Sequence, residues 1–235
     1  MNRILRVALP LALTLATASA SGSTCYGTPA RGRLHGGVPL PAQGQNYVPY
    51  STLGVTLGRT YVHQTARDIV VEAYEATRVS MPEKRFMYGE TGLATGGPFK
   101  PHRTHQSGVS VDFMVPVIDR AHKSVLLPTS MQNKFGYALE FDASGSLDDL
   151  RIDFEAMAEH LYQLAGAAKK RQVKIRTVIF QKELTELLFQ TKRGNALRAS
   201  MPFMKATPWI KHDEHYHVEF SLPCRPLGEH GTASN

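Results

Sequence analysis

The stretch 109-VSVDFMVPVI-118 alternates two sets of side chains, Val109, Val111, Phe113 and Val115 in one set and Ser110, Asp112 and Met114 in the other. Successive strand residues point to opposite faces, so this period of two predicts a strand that turns Asp112 away from the valine face. A second alternation, over 214–222, sets His215, His217 and Glu219 against Tyr216, Val218 and Phe220 and predicts the last strand. Shorter strand patterns fall at 85–90 and 173–180. Helical spacing runs over 64–79, where Ala66, Ile69, Val70, Ala73 and Ala76 share a face ahead of Pro82, and again over 150–170 and 183–191. These elements follow no regular βαβ rhythm. The expected class is therefore α+β, a small, largely antiparallel central sheet flanked by helices, with long irregular loops.

Outward from this core the chain is punctuated by glycine and proline. Residues 21–61 carry Gly36, Gly37, Pro39, Pro41 and Pro49 and are expected to form an irregular arm on a single domain spanning 21–235. The loop 91–107 holds Gly92, Gly96, Gly97, Pro98 and Pro101 and lies directly before the 109–118 strand, a common place for chemistry. An acidic turn covers 142–149. At the other end, Arg3 and Arg6, an apolar run over 7–16 and Ala18-Ser19-Ala20 have the three parts of a secretory signal, so 1–20 is expected to be removed and the protein exported to the periplasm. The apolar run is shorter than the ~20 residues that a membrane span needs, and no comparable run follows it.

The 235 residues are 42% hydrophobic and 20% charged with a formal charge of +7, which excludes wholesale disorder and leaves room for one sizeable core. The basic excess is moderate; neither nucleic acid nor a stable membrane insertion after signal cleavage is an expected partner. The chain has only two cysteines, Cys25 and Cys224, and export permits them to pair, tying the two ends of the domain with a gain of up to ~5 kcal/mol in the chain-entropy model.

The chain has 10 histidines, and their placement matters more than their number. His102 and His105 lie in the Gly-rich loop, His105 seven positions ahead of Asp112; His212, His215 and His217 fall in the run His212-Asp213-Glu214-His215-Tyr216-His217. On a strand, His215 and His217 share one face. Two imidazoles and one carboxylate suit zinc and leave a fourth position for water, whose pKa the metal lowers to about 7 while it polarises a scissile carbonyl. His35, His63, His122, His160 and His230 carry no comparable signal.

At these residues the sequence resembles a metallopeptidase superfamily that joins lysostaphin-type enzymes, D-Ala-D-Ala peptidases and the hedgehog signalling domain. The wider wording, Gly96-Gly97, His102-Arg103-Thr104-His105-Gln106-Ser107-Gly108, Trp209 and His212 through Val218, then Pro223-Cys224, is similar to the penicillin-insensitive murein endopeptidases. The resemblance implies an exported zinc (Zn2+) enzyme that hydrolyses peptide cross-links of peptidoglycan, typically the D-alanyl to diaminopimelate bond. It also implies His105, Asp112 and His217 as ligands, His215 as an unligated catalytic partner, and site roles for His212 and His102. Two positions depart from the family wording: Ser110 stands where a second aspartate is usual, and Glu219 where arginine is usual.

Alternatives stay open at this point. Other activities on the same polymer, such as a D-Ala-D-Ala carboxypeptidase, fit the same ligands, as does a non-catalytic zinc-containing domain that binds murein. His212 and His215 compete as proton donor to the leaving amine. Glu214 is a rival base, but strand alternation assigns it to the face away from His217, where a solvated carboxylate is expected. Trp209 is read as a packing element, and Lys192, Arg193 and Arg198 as an exposed basic loop.

Overall fold

The structure is a computed structural model that describes residues 22–208 and 210–231; the expected signal segment and Trp209 lie outside the described residues. In chain order the elements that build the site are β1 (Thr24–Thr28), β2 (Arg31–His35), β3 (Tyr47–Pro49), α1 (Gln64–Ser80), β4 (Phe86–Tyr88), β5 (Ser110–Met114), α2 (Phe154–Lys170), β6 (Lys174–Ile179), α3 (Lys182–Leu188), α4 (Gly194–Ser200) and β7 (His215–Ser221). Five strands form one sheet in the order β6-β7-β5-β4-β3, antiparallel except for the parallel β4/β3 pair. A smaller sheet is made by Ser146–Leu147, Leu150–Ile152, Val117–Ile118 and Ser124–Val125. This is the expected α+β class.

One face of the central sheet is the hydrophobic core. Val111 and Phe113 on β5 and Tyr216, Val218 and Phe220 on β7 are buried together with Ile69, Val70 and Tyr74 of α1 and Met157, Leu161 and Leu164 of α2. Phe113 stacks on Tyr216 with ring centroids 5.3 Å apart, and His160 of α2 stacks on Tyr74 at 4.6 Å while its Nδ1 hydrogen-bonds the Tyr216 hydroxyl at 2.7 Å. Such burial is worth ~25 cal/mol per Å² of apolar surface and holds β7 flat against the helices. His160 is thus a core residue; burial pushes its pKa down to about 3. His63 is the N-cap of α1, its Nδ1 accepting from the Thr65 amide at 3.1 Å.

The other face of the sheet carries Ser110, Asp112, His215, His217 and Glu219. All five residues of β5 are buried, so loops cover this face too. Alternation along a strand thus separates core from site rather than core from water.

Several boundaries differ from the sequence expectation. Residues 22–61 of the expected arm carry regular structure: β1 and β2 form a hairpin, β3 adds an edge to the central sheet, and Thr52–Thr56 is a short helix. Its prolines did not prevent pairing because Pro49 ends an edge strand and Pro39 sits in a two-residue pairing with Tyr61. Cys25 and Cys224 are disulfide-bonded across 199 residues, and Arg225 runs beside β1, its amide donating to the Cys25 carbonyl at 2.9 Å. The 109–118 strand stops at Met114; beyond Pro116, which has no N–H to give a ladder, Val117–Ile118 joins the smaller sheet. The basic loop after α3 contains α4, and its arginines are used within the fold, Arg193 on Glu159 and Arg198 on Glu186.

The helix expected from Leu150 begins instead at Phe154, because Leu150–Ile152 is a strand and Asp153 is the N-cap, its Oδ1 accepting from the Ala156 amide at 3.0 Å. The other oxygen of Asp153 lies 2.9 Å from Lys84 Nζ in a mostly buried ion pair. Asp153→Ala is therefore expected to lower stability by ~1–2 kcal/mol, and Asp153→Asn, which keeps a cap, by less. Denaturant midpoints at unchanged slope read the difference.

Candidate metal and active site

The sheet places the site residues before any side-chain chemistry is considered. Asp112 sits mid-strand in β5, opposite His217 in the β5/β7 register. On its other side the Asp112 amide donates to the Glu90 carbonyl at 3.0 Å and its carbonyl accepts from the Gly89 amide at 2.7 Å. Glu90, Asp112 and His217 are therefore neighbours across three adjacent chain segments. Gly89 is required here: a Cβ would come within 2.5 Å of the Tyr137 hydroxyl and 2.9 Å of Asp112 Cβ.

Asp112 is fully buried, and its two oxygens divide the surrounding groups. Oδ1 lies 2.8 Å from His217 Nδ1 and 3.3 Å from His105 Nε2. Oδ2 accepts from the Tyr137 hydroxyl at 3.1 Å and lies 3.6 Å from His102 Nδ1 and 3.9 Å from His215 Nε2. Burial alone would raise the pKa of Asp112, but the imidazoles, His105 and His215 foremost, hold it well below the usual carboxylate range.

His105 gives the most direct indication of a cation. Its Nδ1 donates to the Thr91 carbonyl at 3.1 Å, and a carbonyl can only accept, so the proton is on Nδ1 and Nε2 carries a lone pair. That Nε2 is buried without a hydrogen-bond partner and faces Asp112 Oδ1. Burial lowers the pKa of His105 and favours its neutral form. A lone pair set against a carboxylate in a dry site is repulsive unless a cation stands between them. His105 reaches this orientation with φ of +72°, a left-handed backbone that costs energy for a non-glycine residue and recurs at functional sites.

His102, His105 and Asp112 offer ligand atoms that all lie within 4.8 Å of one another. His102 Nε2 donates to Glu90 Oε2 at 2.6 Å, which leaves Nδ1 as the atom toward Asp112. A carboxylate behind an imidazole in this way fixes its tautomer and raises its basicity. Glu90 is itself held by the Tyr50 hydroxyl at 2.8 Å and by Arg59, which makes two contacts to it. Burial works against its charge, but His102 and Arg59 bring its pKa down to about 2. His217 lies beside this group: its imidazole meets that of His105 edge-on with centroids 4.7 Å apart.

The second histidine run forms the adjoining wall. His215 Nδ1 is 2.7 Å from Glu214 Oε1, and the His212 ring is 4.6 Å from that of His215, with His212 Nδ1 donating to the Ile210 carbonyl at 3.0 Å. Burial pushes both histidines down to about 4 and Glu214 up to about 8. The expectation of a solvated Glu214 facing away from the site is thereby corrected. Glu214 is 3% exposed, and because β7 begins only at His215, strand alternation does not govern its direction.

These groups line a cleft of about 730 Å³ together with Tyr50, Phe135, Leu139 and Ile210 and the cations Arg103, Lys134 and Lys211. His102, His105, His212, His215, His217 and Asp112, separated by up to 115 positions in the sequence, are all brought to one place. Sequence reasoning missed Glu90, Arg59, Tyr50 and Tyr137. Glu90 had one usable signal, a carboxylate at the mouth of the Gly-rich loop; Tyr137 lies in a stretch without period and is found only by contact.

Tyr137 bridges two elements, its hydroxyl accepting from the Glu90 amide at 2.7 Å and donating to Asp112 Oδ2. Tyr137→Phe leaves both partners buried and unsatisfied, so a stability loss of about 1–3 kcal/mol is expected in chemical denaturation. A variant as stable as the parent would show that these groups find other partners.

Comparison with known proteins agrees with this geometry. No curated protein matches the chain. Residues 25–230 match the family model described as penicillin-insensitive murein endopeptidase, a span that takes in the N-terminal hairpin, the Gly-rich loop and both histidine runs. The chain belongs to the penicillin-insensitive murein endopeptidase family.

Proposed function

We propose that this murein endopeptidase is a periplasmic zinc enzyme that cuts the D-alanyl to diaminopimelate cross-link, with His105, Asp112 and His217 as ligands. The observation that carries the metal is the buried, partnerless Nε2 of His105 facing Asp112. The choice of His217 as third ligand is supported by its Nδ1 at the same Asp112 oxygen. His102, the other geometric candidate, faces the second oxygen. Zinc is favoured over harder ions by a donor set rich in imidazole. Export is supported by the disulfide and by the N-terminal sequence; among the described residues no helix is long and apolar enough to cross a membrane.

Zinc in such a site supplies an activated water at neutral pH and polarises the carbonyl to be cleaved. The protein's own groups do the rest. His215 holds its Nδ1 on Glu214, which turns Nε2 toward the cleft as the atom that accepts a proton from the attacking water and returns it to the leaving amine. Glu214 acts through His215, orienting the ring from its Nδ1 side. His212, its ring tilted against that of His215 with centroids 4.6 Å apart, limits how far that ring can swing. The apolar cleft wall of Phe135, Leu139 and Ile210 excludes water from the peptide being cut.

Two measurements check this. Purified sacculi treated with the protein should lose cross-linked dimers in favour of monomers, an activity abolished by a strong chelator and unaffected by penicillin; shortened stems alone would indicate a carboxypeptidase, and no change a binding domain. His105→Ala, Asp112→Ala and His217→Ala should each lose stoichiometric zinc in metal analysis. His215→Ala should keep zinc while turnover falls roughly 10²-fold or more, with a smaller loss in Glu214→Gln. Zinc retained by all three ligand variants overturns the ligand set.

A further inference from the structure

The two departures from the family wording, Ser110 and Glu219, are far apart in the sequence but directly opposite each other in the β5/β7 register. Glu219 is 8% exposed, an unusual place for a carboxylate. Its Oε1 accepts from His217 Nε2 at 3.4 Å, on the side of the ring away from Asp112. The nearest guanidinium, Arg176, reaches Glu219 Oε2 only at 4.0 Å, and its own side chain is more than half exposed. Ser110 Oγ, across the strand, is buried and makes no hydrogen bond. The sheet therefore holds a buried carboxylate whose closest polar side-chain contact is the far nitrogen of a candidate ligand, and opposite it a residue small enough to leave it room.

We infer that Glu219 is a positioning residue for His217: it fixes the proton on Nε2 so that Nδ1 is the atom offered to the metal, and Ser110 is the small partner that lets a carboxylate occupy this place. The inference rests on the reading of His217 as a ligand. Its physical basis is the carboxylate–imidazole–metal relay, in which the outer carboxylate sets the tautomer and strengthens the inner nitrogen as a donor. At His102 the carboxylate of Glu90 likewise holds the outer ring nitrogen, on the other side of Asp112. An aspartate at 110 would set two carboxylates face to face across the strands, a repulsive pairing. An arginine at 219 would place a donor against Nε2–H and free the ring to adopt the other tautomer.

The test is zinc affinity of the purified full chain, measured by competition with a chelating dye, together with the visible spectrum of the cobalt-loaded protein. Glu219→Ala is expected to weaken zinc binding 10–100-fold and to shift the cobalt bands. Glu219→Gln, whose amide oxygen still accepts from Nε2–H without the charge, should fall between Ala and the parent. Ser110→Asp should weaken binding as well. If Glu219→Ala folds poorly, Glu219→Gln decides, since it is nearly isosteric. His217→Ala separates the two levels of the argument. Metal lost in His217→Ala but bound with parental affinity and spectrum by both Glu219 variants overturns the positioning role alone; metal kept in His217→Ala overturns the ligand assignment, and the positioning role with it.

Discussion

A single buried negative charge, that of Asp112, governs the architecture. An isolated carboxylate inside a protein costs several kcal/mol or protonates, so its persistence as an anion demands compensation from every side. His105 and His217 meet one oxygen, and Tyr137, His102 and His215 surround the other. The backbone is equally constrained, since Asp112 is hydrogen-bonded to Gly89 and Glu90 on one flank and paired with His217 on the other. The cation that the lone pair of His105 calls for is the remaining part of this compensation.

Around that charge the loops are held by a second layer of carboxylates. Glu90, anchored by Arg59 and Tyr50, fixes His102; Glu214 fixes His215; Glu219 meets His217. Arg59 also donates to the Lys100 carbonyl at 2.8 Å and lies over the Phe99 ring at 4.2 Å, so the same guanidinium that neutralises Glu90 secures the loop that carries His102 and His105. Each of these carboxylates orients the imidazole that it meets. The opposite face of the sheet makes this possible. Phe113 and Tyr216, stacked in the core, keep β5 and β7 in register, and a slip of one residue would turn Asp112 and His217 into the core.

The motif residues were legible because chemistry and period both marked them. Asp112 and His217 lie on strands whose alternation is clean, and their face follows from counting by two. The same counting fails for Glu214, which stands one residue outside the strand, where the backbone no longer alternates. Leu150 was misplaced for a related reason: a short apolar stretch next to a helix has no period of its own, and its strand state is decided by pairing with Val117–Ile118 through Ile152 and Arg151. In the N-terminal arm, glycines and prolines mark irregular backbone, but the edge or turn that each occupies is set by pairing with distant segments.

By itself the sequence determined the α+β class, the two histidine clusters, the face on which each strand histidine stands, and a pair of cysteines suited to an exported domain. Those properties are local, set by side-chain period, turn residues and donor chemistry within a few positions. Only the tertiary structure decided that Glu90, Tyr137 and Arg59 belong to the site, that Glu214 is buried against His215, and that Ser110 and Glu219 face each other. These are contacts between segments many residues apart. Their energies depend on burial and on hydrogen-bond geometry across strands, and neither quantity exists until the sheet has formed and both of its faces are covered.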